Sequence, residues 1–181
     1  MAGVKTARFG YFSGSAMALL GLFAVLTVAA WPSPLGARNS ITIALALLVA
    51  AELSMVPLGL SLFARLPRPA LPFGAAALLG LAVSMVALTI LVWAYLAQAE
   101  LPSPRLLEFA LGGGAGAWLL LTNQLARGYG VLKGALPWVG TLAGAIWLLD
   151  PLNGFHMIAE TTSVLGFLLY AAWATGLARA R

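Results

Sequence analysis

The chain has 181 residues with a mean hydropathy of +0.98, and 62% of them are hydrophobic while only 8% are charged. A soluble domain is about 45–50% apolar and about 25% charged, so these proportions exclude an ordinary soluble core and indicate a helical protein that crosses a membrane several times. The net charge of +5 is expected of loops kept on the cytoplasmic side and does not indicate nucleic-acid binding, while the lack of cysteine excludes disulfides and thiolate sites.

The first two predicted helices cover residues 11–31 and 41–64. The first follows Lys5 and Arg8, and small residues at 28–30 give it some likeness to a secretory signal with a cleavage site. Its apolar run is longer than the about 7–15 residues of a signal core, and further apolar segments follow. We therefore predict a helix that is retained in the membrane.

Four further helices are predicted at residues 71–98, 105–126, 135–149 and 155–177, separated by short turns that contain proline, glycine, serine or asparagine. Short loops make consecutive helices antiparallel neighbours. The two halves of the chain do not align as an inverted repeat. The predicted fold is therefore all-α: one polytopic transmembrane domain over residues 1–181, with six transmembrane helices in a compact bundle.

Basic residues fall mainly on one side of this arrangement. One side carries Lys5, Arg8, Arg65, Arg68, Arg127, Lys133, Arg179 and Arg181, and the other carries Arg38 and Arg105. Under the positive-inside rule this asymmetry places both termini in the cytoplasm. Arginine also outnumbers lysine, and alanine, leucine and glycine abound, as in proteins of GC-rich bacteria. We therefore predict a multi-pass protein of the bacterial plasma (inner) membrane.

Glu52 is the most informative acid, because it lies near the middle of the predicted helix 41–64. A carboxylate at that depth costs roughly 3 kcal/mol on insertion scales, so it should face protein or water. No basic or polar residue lies one turn away on its own helix, so we expect Glu52 to be protonated, bonded to another helix or beside water. Pro57 has no N–H and leaves the carbonyl of Leu53 free, and a carboxylate beside such a carbonyl suits a proton or a small cation.

Glu108 lies near the start of the predicted helix 105–126, and the glycine-rich run 112–116 follows it. Small residues on one helix face let a neighbouring helix approach closely, so Glu108 should point toward protein. The alternative is an interfacial pair with Arg105. Because the glycines lie inside a helix, we predict close packing there and at Gly140 and Gly144, and no phosphate loop.

His156 and Glu160 lie one helical turn apart and are adjacent on one face. Phe167 and Tyr170 continue that face, which predicts an inward polar stripe; the alternative is a hydrogen-bonded or solvated pair at the outer surface. With Glu108 they could form a metal site of one histidine and two carboxylates, but the HxxxE spacing does not define one by itself. A lone histidine excludes bis-histidine haem, and no GxSxG motif occurs. No catalytic residue and no cofactor are predicted.

The last third of the chain carries a basic loop leading to Leu136-Pro137-Trp138, an Ala143-Gly144 step, and an ending with Tyr170, Trp173 and Gly176. In these features it resembles a group of uncharacterised bacterial six-helix integral membrane proteins, classed as a domain of unknown function. The resemblance implies a helical membrane fold. It implies no known activity.

These features together predict an integral membrane protein that is not an enzyme and acts as an accessory, sensory or assembly component. Its expected partners are the lipid bilayer and either other membrane subunits or further copies of the chain, without nucleic acid. The alternative is a small proton- or cation-coupled solute carrier, with Glu52 at mid-membrane and Glu108, His156 and Glu160 near an outer vestibule. An intramembrane metal-dependent enzyme is the third hypothesis.

Overall fold

A computed structural model describes residues 37–100, 103–149 and 156–179, and these residues are almost entirely helical. They form the helices α1 (Ala37–Phe63), α2 (Leu71–Ala97), α3 (Pro104–Gly128), α4 (Leu136–Leu149) and α5 (His156–Arg179), with a short 3-10 turn at Arg68–Ala70. No strand occurs among the described residues, which confirms an all-α fold there. The helix predicted at residues 11–31 lies outside them.

The helix boundaries follow local backbone chemistry. Ser103 caps α3, since its Oγ accepts a hydrogen bond from the backbone N–H of Leu106 at 3.4 Å, and Pro104 occupies the first helical position, where no N–H is needed. Helix α2 ends at Gln98, which takes a left-handed conformation with φ 52°. Helix α1 continues through Pro57.

Helices α2 and α3 pack backbone to backbone. A Cβ at Gly80 would lie 2.9 Å from the carbonyl oxygen of Gly114, and a Cβ at Gly114 would lie 2.6 Å from that of Gly80. One turn farther along α2, Ser84 contacts the carbonyl of Leu111. Residue numbers rise on α2 as they fall on α3, so the two helices are antiparallel.

Helices α3, α4 and α5 continue this antiparallel order. A Cβ at Gly144 of α4 would lie 2.7 Å from the carbonyl oxygen of Gly116, and Gly140 packs against Asn123. The close packing predicted for these glycines and for the 112–116 run is confirmed at Gly114, Gly116, Gly140 and Gly144. In the same way Gly166 and Gly176 of α5 pack against Trp147 and Leu136 of α4.

Aromatic side chains fill the centre of the bundle. The rings of Trp118 and Trp173 meet edge to face at 6.1 Å, and Tyr170 lies 5.9 Å from Trp173. Trp147 contacts both Tyr170 and Phe167, at 5.3 and 5.1 Å. Such offset and edge-to-face pairs stabilise by about 0.5–1.5 kcal/mol beyond their burial. These five rings belong to α3, α4 and α5.

One segment among the described residues is long and apolar enough to cross a membrane. It runs from Arg68 to Ala97, has a hydropathy of 2.5 over its best window, and buries 28% of that window inside the protein. The apolar helical segments Glu52–Phe63, Leu136–Leu149 and Leu165–Leu177 are shorter. One candidate span of this kind is weak evidence on its own, so the six membrane crossings stay a prediction.

The antiparallel order gathers five of the seven basic residues in the described ranges at one end of the bundle. The ends of α1, α3 and α5 and the starts of α2 and α4 lie there, with Arg65, Arg68, Arg127, Lys133 and Arg179. We call these five residues the basic end. The α2–α3 connection with Glu100, and Arg105 in the first turn of α3, lie at the opposite end.

Candidate functional site

Glu52 is buried in the core, with 4% of its surface exposed. The Ser84 hydroxyl of α2 lies 3.1 Å from Oε2 of Glu52 and 2.8 Å from the carbonyl oxygen of Leu111 in α3, and can donate a hydrogen bond to either. Of the surroundings expected for this acid, the structure shows the bond to another helix. The carboxyl group thereby connects α1 to the α2–α3 contact.

A second hydrogen bond, half a helical turn after Glu52, joins α1 to α5. Oγ of Ser54 and the hydroxyl oxygen of Tyr170 lie 2.9 Å apart, and both residues are buried. The Tyr170 hydroxyl also lies within electrostatic range of a charge on the Glu52 carboxyl group. Glu52, Ser54, Ser84 and Tyr170 therefore form one polar group in the core, which we call the Glu52 cluster.

Asn123 forms a separate polar group on α3. Its Oδ1 accepts the indole N–H of Trp173 at 2.7 Å, and its Nδ2 donates to the carbonyl of Leu119 at 2.8 Å. The side chain fits against Gly140, where a Cβ would collide with it. Because both ends of the amide are bonded and the residue is fully buried, this arrangement serves packing.

Trp118 is the exception to this pattern of paired polar atoms. Its ring is fully buried, and its indole N–H is the one buried side-chain donor without a hydrogen-bond partner among the described residues. The nitrogen lies against α1, since a Cβ at Gly59 would be 3.1 Å from it. A larger residue at position 59 would require the indole or α1 to shift by a few tenths of an ångström.

The other predicted site residues are placed by their backbone alone. Glu108 lies near the start of α3, and His156 and Glu160 lie in the first turns of α5; both helix starts are at the end opposite the basic end. Their side chains lie outside the described part of the chain, so a meeting of the three stays a prediction. Among side chains that the structure describes, no three of histidine, cysteine, aspartate and glutamate come together.

The predicted stripe on α5 can be followed in its second half. Tyr170 is fully buried and Phe167 packs on Trp147, so this face of α5 points inward as predicted. Ser54, the hydrogen-bond partner of Tyr170, was not among the candidate residues.

Three further polar residues of the core, Ser84, Asn123 and Trp173, were also absent from the sequence-based candidates. Ser84 had a usable signal, because it follows Gly80 by four residues in an otherwise apolar helix, and small residues at this spacing mark helix contacts. Asn123 had one too, as an amide deep inside a long helical segment. Their partners lie on other helices and could not be read from spacing.

The Glu52 cluster contains one carboxyl group and three hydroxyl groups. Among the described residues around it there is no imidazole or amine that could activate a serine, and no second carboxyl group for paired acid–base chemistry. The chemistry that these groups support is the binding and release of a proton or a small cation.

No protein-family model, no curated protein and no solved structure matches this chain. The resemblance of the last third to uncharacterised membrane proteins therefore stays a prediction. Function has to be argued from the geometry.

Proposed function

We propose that the chain is an integral protein of the bacterial inner membrane, with six helices and both termini in the cytoplasm, that acts without catalysis as an accessory, sensory or assembly component. The observation that carries this proposal is the distribution of polarity. Glu52, Ser84 and Asn123 are hydrogen-bonded inside the bundle, and many large apolar side chains are exposed on its outer surface.

The outer face of α2 supports the membrane location. Leu79, Val83, Val86 and Trp93 are each between 51% and 67% exposed, and their spacings of four, three and seven residues place them on one helix face. Soluble monomers rarely expose a continuous apolar surface of this length. Lipid would cover it without any partner protein, because hydrocarbon tails are as apolar as these side chains.

The polar residues of the core also support a membrane location. Glu52, Ser54, Ser84, Thr122 and Asn123 are all buried, while apolar residues of the same helices face outward. In hydrocarbon a polar side chain must find its partner inside the protein, so this distribution is the one that a membrane favours. The basic end agrees with the predicted orientation, because basic residues remain on the cytoplasmic side.

A non-catalytic role is supported by what the buried polar groups do. The amide of Asn123 is hydrogen-bonded to Trp173 and Leu119. The Glu52 carboxyl group is hydrogen-bonded to Ser84 between α1 and α2. These bonds hold helices together. None of them presents a reactive atom beside a base.

The orientation can be tested because the chain has no cysteine of its own. Arg68→Cys at the basic end and Glu100→Cys at the opposite end both place a thiol at an exposed position. We expect a membrane-impermeant maleimide to label Glu100→Cys in intact cells and Arg68→Cys only after permeabilisation. The unmodified protein is the matched control, since it should not react. Labelling of both positions from one side, or recovery of the protein in the soluble fraction, would refute the proposal.

A second candidate function, a proton- or cation-coupled solute carrier, is favoured by one observation. Glu52 sits in the core of α1, five residues before Pro57, where the helix lacks one backbone hydrogen bond. This function predicts pH-dependent flux in proteoliposomes that Glu52→Gln abolishes and Glu100→Gln leaves intact. Flux no higher than in empty vesicles across a panel of small solutes would eliminate it.

A further inference from the structure

We propose that Glu52, Ser84 and the carbonyl of Leu111 form a binding site for a single proton, and that this proton fastens α1 to the other four described helices. The inference deepens the proposed function and rests on it, since it names a proton as the ligand of a sensory component. Two observations support it: the number of hydrogen-bond donors at the site, and the contacts that join α1 to the other helices.

The site has fewer hydrogen atoms to donate than acceptors to receive them when Glu52 is ionised. A serine hydroxyl has one hydrogen to donate and two lone pairs to accept with. Oγ of Ser84 lies within hydrogen-bond distance of two acceptors, the Glu52 carboxyl at 3.1 Å and the Leu111 carbonyl at 2.8 Å. The single hydrogen of Ser84 cannot satisfy both in full.

A proton on Glu52 resolves this conflict. The carboxylic acid then donates its O–H to Oγ of Ser84, and Ser84 donates its own hydrogen to the carbonyl of Leu111. Each hydrogen has one acceptor, and the two bonds form a chain from α1 through α2 to α3. When the proton leaves to water, a buried carboxylate remains that competes with Leu111 for one hydrogen, and an unsatisfied buried charge is strongly unfavourable.

Few groups face Glu52 among the side chains that the structure describes. Helix α2 contributes Ser84 and α3 contributes the Leu111 carbonyl, with Glu108 one turn before it along the helix. Helix α5 contributes the Tyr170 hydroxyl, which lies within electrostatic range of a charge on that carboxyl group. No basic side chain is among these groups. A negative charge at this position would therefore find no described counter-ion.

Helix α1 is attached differently from the rest of the bundle. Backbone contacts at glycine join α2 to α3 and α3 to α4, whereas Gly59 of α1 meets the side chains of Trp118 and Leu78. Midway along α1, two polar contacts, from Glu52 to Ser84 and from Ser54 to Tyr170, accompany the packing of Met55 and Leu58 into the apolar core. Side-chain contacts can rearrange without moving a packed backbone, so α1 is the helix that loss of the Glu52 proton would loosen.

Infrared spectroscopy of the purified protein tests the proton directly, because a carboxylic acid and a carboxylate absorb at separate frequencies. We expect an acid C=O band at neutral pH that Glu52→Gln removes and that Glu100→Gln, at an exposed loop position, retains. Ser84→Ala should keep the band and shift it, since the acid loses its acceptor. If Glu52→Gln does not fold, this shift still identifies Glu52 as the source. Identical acid regions in the unmodified protein, Glu52→Gln and Ser84→Ala would overturn the proposal.

A distance measurement tests the fastening of α1. Spin labels at Leu60→Cys on α1 and Leu142→Cys on α4, both exposed positions, report the separation of α1 from the rest. Raising the pH until the acid band disappears should lengthen or broaden the distance distribution. The same pair with Glu52→Gln, whose amide can still donate to Ser84, should keep the neutral-pH distribution. An unchanged distribution after loss of the band would overturn the role of the proton in holding α1.

The proton site and the membrane topology can be refuted separately. The infrared and distance readings are made on the purified protein and do not depend on its orientation in the cell. Labelling of Arg68→Cys and Glu100→Cys from the same side would refute the proposed topology and leave both readings standing. Absence of the acid band would refute the proton site and leave the topology standing.

Discussion

Trp173 of α5 donates its indole N–H to Oδ1 of Asn123 on α3 over 2.7 Å, although the two residues are 50 positions apart in the sequence. Both side chains are fully buried. The bond holds two helices of the same direction together across the aromatic centre of the bundle. It is the shortest side-chain hydrogen bond described here between helices, and it makes Asn123 a structural residue whose replacement has a defined cost.

Asn123→Leu should destabilise the protein by about 1–3 kcal/mol, because it leaves the buried indole N–H of Trp173 without an acceptor. The free energy of unfolding can be measured by denaturant titration in detergent, followed by circular dichroism. Gln124→Leu is the matched control, since its amide is partly buried and donates only a 3.4 Å bond to Thr141. Its effect should be nearer the roughly 0.6 kcal/mol average for hydrogen bonds in a membrane protein. Equal losses in the two variants would contradict a special role for Asn123.

The two buried tryptophans of this centre allow a paired test. Trp173→Phe and Trp118→Phe remove the same volume, but only Trp173 has a hydrogen-bonded N–H, while that of Trp118 has no partner among the described residues. We expect Trp173→Phe to be the more destabilising by about 1 kcal/mol, the net contribution of a typical hydrogen bond. The same unfolding titration measures the difference. A larger loss for Trp118→Phe would show that its N–H has a partner.

Hydropathy was sufficient to predict the described helices but not their contacts. The predicted segments 71–98 and 135–149 agree with α2 and α4 to within one residue, because an apolar run bounded by proline, glycine and polar residues leaves few alternatives. The partner of Glu52 could not be predicted, since Ser84 lies 32 residues away on another helix. Helix packing decides which side chains meet, and the one-turn spacing rule covers only a single helix.

The glycine run at the centre of α3 offers a graded test of packing. A Cβ at Gly114 would lie 2.6 Å from the carbonyl oxygen of Gly80, and one at Gly116 would lie 2.6 Å from the backbone nitrogen of Leu148, whereas one at Gly113 would meet nothing within 4 Å. Overpacking of this kind costs about 1–3 kcal/mol, so Gly114→Ala and Gly116→Ala should destabilise the protein.

Gly113→Ala is the internal control for these substitutions. Alanine is favoured over glycine inside a helix by about 1 kcal/mol, so this variant should be neutral or more stable than the unmodified protein. Thermal unfolding in detergent ranks the three variants under one condition. The packing of α3 would have to be described differently if Gly113→Ala were as harmful as Gly114→Ala.

The contact between Ser54 and Tyr170 provides the last test, because it measures how firmly α1 is held to α5. The two hydroxyl oxygens are 2.9 Å apart in the core. Tyr170→Phe should lower the free energy of unfolding by about 0.5–1.5 kcal/mol, and the same change at the exposed Tyr129 should have no measurable effect. Combining Tyr170→Phe with Ser54→Ala should cost less than the sum of the two single changes, since the shared bond is lost only once. Strict additivity would mean that this hydrogen bond contributes nothing to holding α1. The Glu52–Ser84 hydrogen bond would then be the polar contact that holds the middle of α1.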